Sequence, residues 1–184
     1  MKVTDVPIIG LLDNSEGQMK KFKMAKDDIE VDSINNFLTK WQSKKIQPYR
    51  TTEDLPDEQP EDYKIVVEAN YKEIVLDNKN DILVILFNPN DELSTKLIKE
   101  FHEVIGKLKS QKGVNENIVF VKINGTKNEI EHLEDKNILR IPALFLIPGN
   151  NKNKLIFYSG NINSEDICDF IENNSFHPIE RDDL

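Results

Sequence analysis

The sequence predicts an α/β fold, a central mixed β-sheet flanked by helices, preceded by a partial ββα segment of the same design. Three observations carry this. The run Asp81-Ile82-Leu83-Val84-Ile85-Leu86-Phe87 is of the kind found in a central strand covered on both faces. Leu97, Ile98, Phe101, Val104, Ile105 and Leu108 form one apolar stripe at helical spacing, with a polar opposite face. Strands alternate with helices along most of the chain, which then closes on two strands and a helix.

At the start, residues 6–12 read as a strand, 13–17 as a turn and 19–24 as a return strand. From Val31, the spacing of Ile34, Phe37, Leu38 and Trp41 places them on one face of a helix. A hairpin and one helix bury too little surface to be stable unaided, so residues 1–43 are expected to be the tail of a domain. Pro48, Pro56 and Pro60, set among acidic and polar residues, mark 44–62 as a linker. A whole domain is expected over 63–176. Its elements are a short strand at 63–68, a short helix at 70–75, the core strand and the long helix after Asn88-Pro89-Asn90. A strand at 117–123, a polar helix at 127–134, strands at 143–147 and 155–159, and a last helix at 164–173 complete it. The order is βαβαβαββα, and residues 6–42 repeat its last three elements. Residues 177–184 are a tail.

With 38% apolar and 31% charged residues among 184, the chain can bury a core and exposes a charged surface. A formal charge of −9 argues against a phosphate-backbone partner, whose binding draws on clustered Lys and Arg. No apolar run approaches the roughly 20 residues that span a bilayer, so no membrane insertion is expected. The stretch at 6–12 is too short and too broken by Pro7 and Gly10 for a signal sequence, so any such signal is expected upstream. Cys168 is the single cysteine, which excludes an intramolecular disulfide and a dithiol pair. It lies near the apolar stripe of the last helix, where it reads as a small buried hydrophobe. His102, His132 and His177 are scattered without metal-ligand spacing, and no EF-hand loop occurs. No metal and no cofactor are expected.

The element order is that of the thioredoxin fold, and particular residues narrow it. Trp41-Gln42-Ser43-Lys44-Lys45-Ile46-Gln47-Pro48-Tyr49 with Glu53-Asp54-Leu55-Pro56-Asp57 resembles the junction between the b′ and a′ domains of protein disulfide isomerases. Val66-Val67-Glu68-Ala69-Asn70-Tyr71-Lys72-Glu73-Ile74-Val75-Leu76-Asp77 is similar to the opening of the a′ domain. The resemblance runs from about Val6 to the end of the chain.

It implies a Cys-Gly-His-Cys motif at the start of the long helix, and here the chain departs. Pro89 keeps the register, so Asp91, Glu92, Leu93 and Ser94 stand in the motif's place, with Asp91 and Ser94 at the two cysteine positions. Disulfide exchange needs a thiolate at a helix N-terminus and a second thiol nearby. Asp91 and Ser94 supply neither, but both suit a helix cap. The family's buried Glu on the core strand is matched by Ile85, and the proline in its long helix by Lys99. By the same resemblance Pro142, and Pro7 in the partial domain, are structural cis-proline candidates. Arg140 matches the family's arginine near that proline only with a one-residue offset and is given no role.

Asn124 and Asn173 satisfy the N-x-Ser/Thr glycosylation rule. Arg181-Asp182-Asp183-Leu184 resembles the Lys-Asp-Glu-Leu retrieval signal, which implies the endoplasmic reticulum lumen and a retrieval receptor. The expected function is a redox-inactive thioredoxin-like module of a folding factor, a scaffold or a surface for unfolded or partly folded client proteins. The alternative is the arm of an active disulfide isomerase whose Cys-x-x-Cys lies in an upstream domain. A calsequestrin-like calcium store would need denser carboxylates than 33 acidic residues interspersed with 24 basic ones.

Overall fold

The computed structural model describes residues 8–15, 17, 19–24, 29–110, 117–134, 136, 138 and 140–178. The chain divides into two units, residues 1–50 and 51–184.

In the first unit, β1 (Gly10–Asp13) pairs antiparallel with β2 (Lys20–Lys23), Gly10 opposite Lys23 and Asp13 opposite Lys20. The turn is held by Asp13, whose Oδ1 accepts from Ser15 N–H at 2.9 Å, and by Gly17, whose φ of +81° favours a residue without Cβ. Helix α1 (Val31–Gln42) lays Ile34, Phe37 and Trp41 against Phe22 and Met24. Trp41 Nε1 donates to Asp13 Oδ2 at 3.3 Å, tying helix to hairpin. Leu38, expected on this face, is exposed, because the hairpin is narrow and covers only the side centred on Phe37.

The second unit carries a five-stranded sheet in the order β3-β5-β4-β6-β7. β3 (Lys64–Ile65) and β4 (Asp81–Phe87) each lie parallel to β5 (Ile118–Asn124). β6 (Ala143–Ile147) runs antiparallel to β4, and β7 (Ile156–Phe157) antiparallel to β6. α2 (Glu68–Tyr71) continues into a π turn over Lys72–Leu76. The long helix is α3 (Glu92–Lys109), and α4 (Glu131–Glu134) and α5 (Ser164–Asn174) follow. This is the thioredoxin fold.

Side chains of β4 alternate between two cores, which is why an unbroken apolar run suits it. Leu83 and Ile85 pack beneath α3 and α5 with Phe101, Leu108, Leu146 and Ile171. Ile82, Val84 and Leu86 pack on the other face with Val66, Tyr71, Val121 and Phe145. Asp81 opens the strand fully buried. Its Oδ1 accepts from Gly149 N–H at 2.8 Å and Phe176 N–H at 3.1 Å, and its Oδ2 from His177 N–H at 2.8 Å. His177 Nδ1 lies 3.2 Å from the same Oδ2. One carboxylate therefore fastens the segment after α5 to the foot of the central strand. Gly149 is required there, since a Cβ would lie 2.2 Å from the Lys79 carbonyl oxygen.

The proline-bearing stretch at 44–62 is fastened at several points. Tyr49 N–H donates to the Lys21 carbonyl within the first unit, and Thr51 N–H donates to Glu129 Oε2 at 2.9 Å within the second. Asn128 Oδ1 accepts from Thr52 Oγ1 at 3.0 Å and Glu53 N–H at 2.9 Å, while its Nδ2 donates to Glu53 Oε2 and to the Asn124 carbonyl. This clamp explains why the helix expected over 127–134 is only the turn Glu131–Glu134. Asn128 side-chain bonds replace the helical ones, a competition to which Asn is prone.

Candidate functional site

The place of interest is the mouth formed where β4 runs into α3. Asn88 organises the loop: its carbonyl accepts from Asp91 N–H at 3.2 Å and its Oδ1 from Asn90 N–H at 3.0 Å. Asp91 is the N-cap of α3, extended at φ −115° and ψ 129°, and its Oδ2 accepts from Ser94 N–H at 2.7 Å. A carboxylate there also opposes the positive end of the helix dipole. Ser94 is fully buried, and its Oγ accepts from Asn88 N–H at 3.1 Å. Asp91 and Ser94, expected from the resemblance at the two cysteine positions, thus hold oxygens engaged with the helix end and with the loop before it. Truncating the cap by Asp91→Ala is expected to cost about 1 kcal/mol, read as a lower midpoint in urea unfolding with an unchanged slope.

Glu92 points out of the first turn, and Leu93 is half exposed. Leu93 forms one wall of an apolar groove of about 400 Å³ whose other walls include Leu97, Ile141, Pro142, Phe157 and Tyr158. The Ile141–Pro142 peptide is cis. Register between β4 and β6 ends at Leu86 and Ala143, so Ile141 lies just beyond the ladder. Among the described residues its backbone N–H and C=O make no hydrogen bond. Ile141 and Phe157 are both more than a third exposed. The mouth therefore offers apolar side chains beside an open backbone edge, which suits an extended peptide segment. Arg140 is exposed at the rim.

Ile85 is fully buried and stands opposite Lys122 across the β4–β5 ladder. Lys99 is on the solvent face of α3, 3.9 Å from Glu103 one turn on. Cys168 is buried in the α5 side of the core. The histidines are far apart in role: His102 stacks near Tyr63, His132 Nε2 lies 3.1 Å from the Lys152 carbonyl, and His177 meets Asp81. Among the described residues no three His, Cys, Asp or Glu side chains gather where they could hold a metal ion.

Asn124 ends β5 and its Oδ1 accepts from Thr126 N–H and Oγ1, while Asn173 is an exposed residue of α5 whose Nδ2 donates to the Asp169 carbonyl. Pro7 and Arg181, Asp182, Asp183 and Leu184 lie outside the described residues.

Three polar residues were missed by pattern reading: Asp81, Asn128 and Lys122. Asp81 stands at the head of an otherwise apolar run, and a carboxylate that opens a buried strand must find donors. A charge within an otherwise hydrophobic segment is the signal that could have found it and Lys122.

No protein-family model matches the chain. It is 28% identical over its full length to protein disulfide-isomerase of Gallus gallus, covering 34% of that protein. It is 27% identical over 95% of its length to protein disulfide-isomerase of Humicola insolens, covering 33%, and 27% identical over 83% to human protein disulfide-isomerase A4, covering 23%. The chain thus spans about a third or less of the length of these curated relatives. Among solved structures, the first thioredoxin domain of mouse protein disulfide-isomerase A4 superimposes with a TM-score of 0.53, at 17% identity over 72% of this chain and 91% of that one. The zinc-bound form of human ERp44 gives 0.51, at 18% identity over 60% of this chain and 31% of that one. Likeness at these identities shows the fold.

Proposed function

For a chain whose curated homologues are protein disulfide-isomerases, we propose a non-catalytic role: its thioredoxin-like unit holds unfolded or partly folded client proteins in the groove beside the α3 N-terminus. The observation that carries this reading is the pairing of a closed cap with an open groove. Asp91 and Ser94 are spent on the helix end, while Leu93, Ile141 and Phe157 stay exposed around an unpaired backbone edge. An extended client segment would add backbone hydrogen bonds at Ile141 and seat apolar side chains between Leu93 and Phe157. The retrieval-like Arg181 to Leu184 supports placing the protein in the endoplasmic reticulum lumen.

Leu93→Asp tests the groove, because it puts a charge on one wall without touching the core. Affinity for a reduced, unfolded protein is expected to fall about tenfold, which corresponds to about 1.4 kcal/mol, with the thermal midpoint unchanged. Unaltered affinity would remove the groove from the account.

A second reading is favoured by the length of the relatives, of which the chain matches about a third. In it, this unit is an arm of an active isomerase whose Cys-x-x-Cys lies in another domain. The two readings share the groove and differ in the activity of the longer protein.

A further inference from the structure

The groove beside the α3 N-terminus is lined by a single charged side chain. Arg140 carries it, and the remaining lining residues are apolar, or neutral as Tyr158 and Ser159 are. The guanidinium is exposed, and among the described residues it makes no ion pair and no hydrogen bond. On a chain with 33 acidic and 24 basic residues a carboxylate partner would be easy to supply, and none is placed there. Lys99, Lys109 and Lys127, by contrast, each lie within 3.9 Å of a carboxylate. Arg140 also directly precedes Ile141, whose backbone N–H and C=O make no hydrogen bond among the described residues. An extended segment paired at Ile141 therefore runs past the guanidinium.

We propose that Arg140 makes the groove selective for extended peptide segments that carry one Asp or Glu beside an apolar core. This rests on the groove reading above and names the class of segment that the groove takes. The core side chains lie between Leu93 and Phe157, in a space of about 400 Å³ that is within the range of ligand sites. The side-chain carboxylate accepts two N–H bonds from the guanidinium fork, the pairing for which arginine is shaped. On the α3 side of the mouth the charges are those of Asp91 and Glu92, and the Asp91 carboxylate is already committed to Ser94 N–H at 2.7 Å. These two acids oppose further negative charge, so one carboxylate is a better match than a phosphate dianion.

Fluorescence anisotropy of the whole chain with labelled peptides tests the proposal. Each peptide is blocked at both ends and carries a Leu-Val-Phe core with Glu, Gln or Lys beside it, and a parallel set moves that residue to the other flank. On one flank, Glu is expected to bind about threefold tighter than Gln and about tenfold tighter than Lys, a preference that shrinks in high salt. Arg140→Gln is expected to bring the ratio of Glu to Gln affinities to about one, and Arg140→Glu to make the Lys peptide the tightest. Equal affinities on both flanks, tightest binding of the Lys peptide by the unaltered chain, or a Glu preference that survives Arg140→Gln overturns the proposal and leaves the groove standing. No binding of any peptide overturns the groove reading and this proposal with it.

Discussion

Replacing Asp81 with alanine is expected to cost the second unit about 3 kcal/mol and to lower its melting temperature by roughly 10 °C. The carboxylate is wholly enclosed at the foot of β4, and burying it is tolerable because donors surround it. Alanine leaves the N–H groups of Gly149, Phe176 and His177 without an acceptor in a partly buried place. Each unsatisfied group costs about 1–3 kcal/mol, and the relief of no longer burying a charge offsets part of the sum. Asp81→Asn separates the contributions. Its remaining oxygen can keep Gly149 and Phe176, but its amide then faces the His177 N–H, donor against donor, so an intermediate loss is expected. His177→Ala removes only the ring contact and is expected to shift stability by less than about 1 kcal/mol. Equal losses for all three variants would mean that the ring, and not the backbone cradle, is what Asp81 serves.

The joint substitution of Asp91→Cys and Ser94→Cys is expected to create dithiol exchange at the start of α3. The backbone is already suitable: position 91 caps α3 and its side chain reaches the N–H of position 94 at 2.7 Å. A thiolate at 91 would meet the free N–H groups and the dipole of an 18-residue helix, so its pKa is expected below the ordinary value of about 8.5. Position 94 is buried and would hold the resolving thiol close behind it. Reduction of insulin by dithiothreitol should run at least about tenfold faster with the double variant than with either single one, since release of the mixed disulfide needs both thiols. Ile85 offers no carboxyl to take up a proton, so turnover should stay well short of that of a natural dithiol relative. Equal rates for the single and double variants would mean that the α3 mouth no longer has the geometry for exchange.

What could be read in advance divides by the kind of signal. The β4 run and the α3 stripe were legible because a two-sided core and a one-sided helix impose strong patterns on many residues at once. Leu38 is exposed although it shares the apolar face, because helical spacing tells which residues share a face, not how wide the covering surface is. Helix α4 is shorter than its pattern predicts because Asn128 trades helical bonds for Thr52 and Glu53, residues more than seventy positions away. The start of α3 could be placed from Asn88-Pro89-Asn90. The groove could not, since Leu93, Ile141 and Phe157 come from α3, the loop before β6 and β7, and meet only in three dimensions.

The most direct test of the central claim is turnover of a scrambled-disulfide substrate, such as misfolded ribonuclease, by this chain in a glutathione buffer. The non-catalytic account predicts recovery of native substrate no faster than with a Cys168→Ala control, alongside binding that falls when Leu93 is charged. Thiol-dependent isomerisation above that control would contradict it.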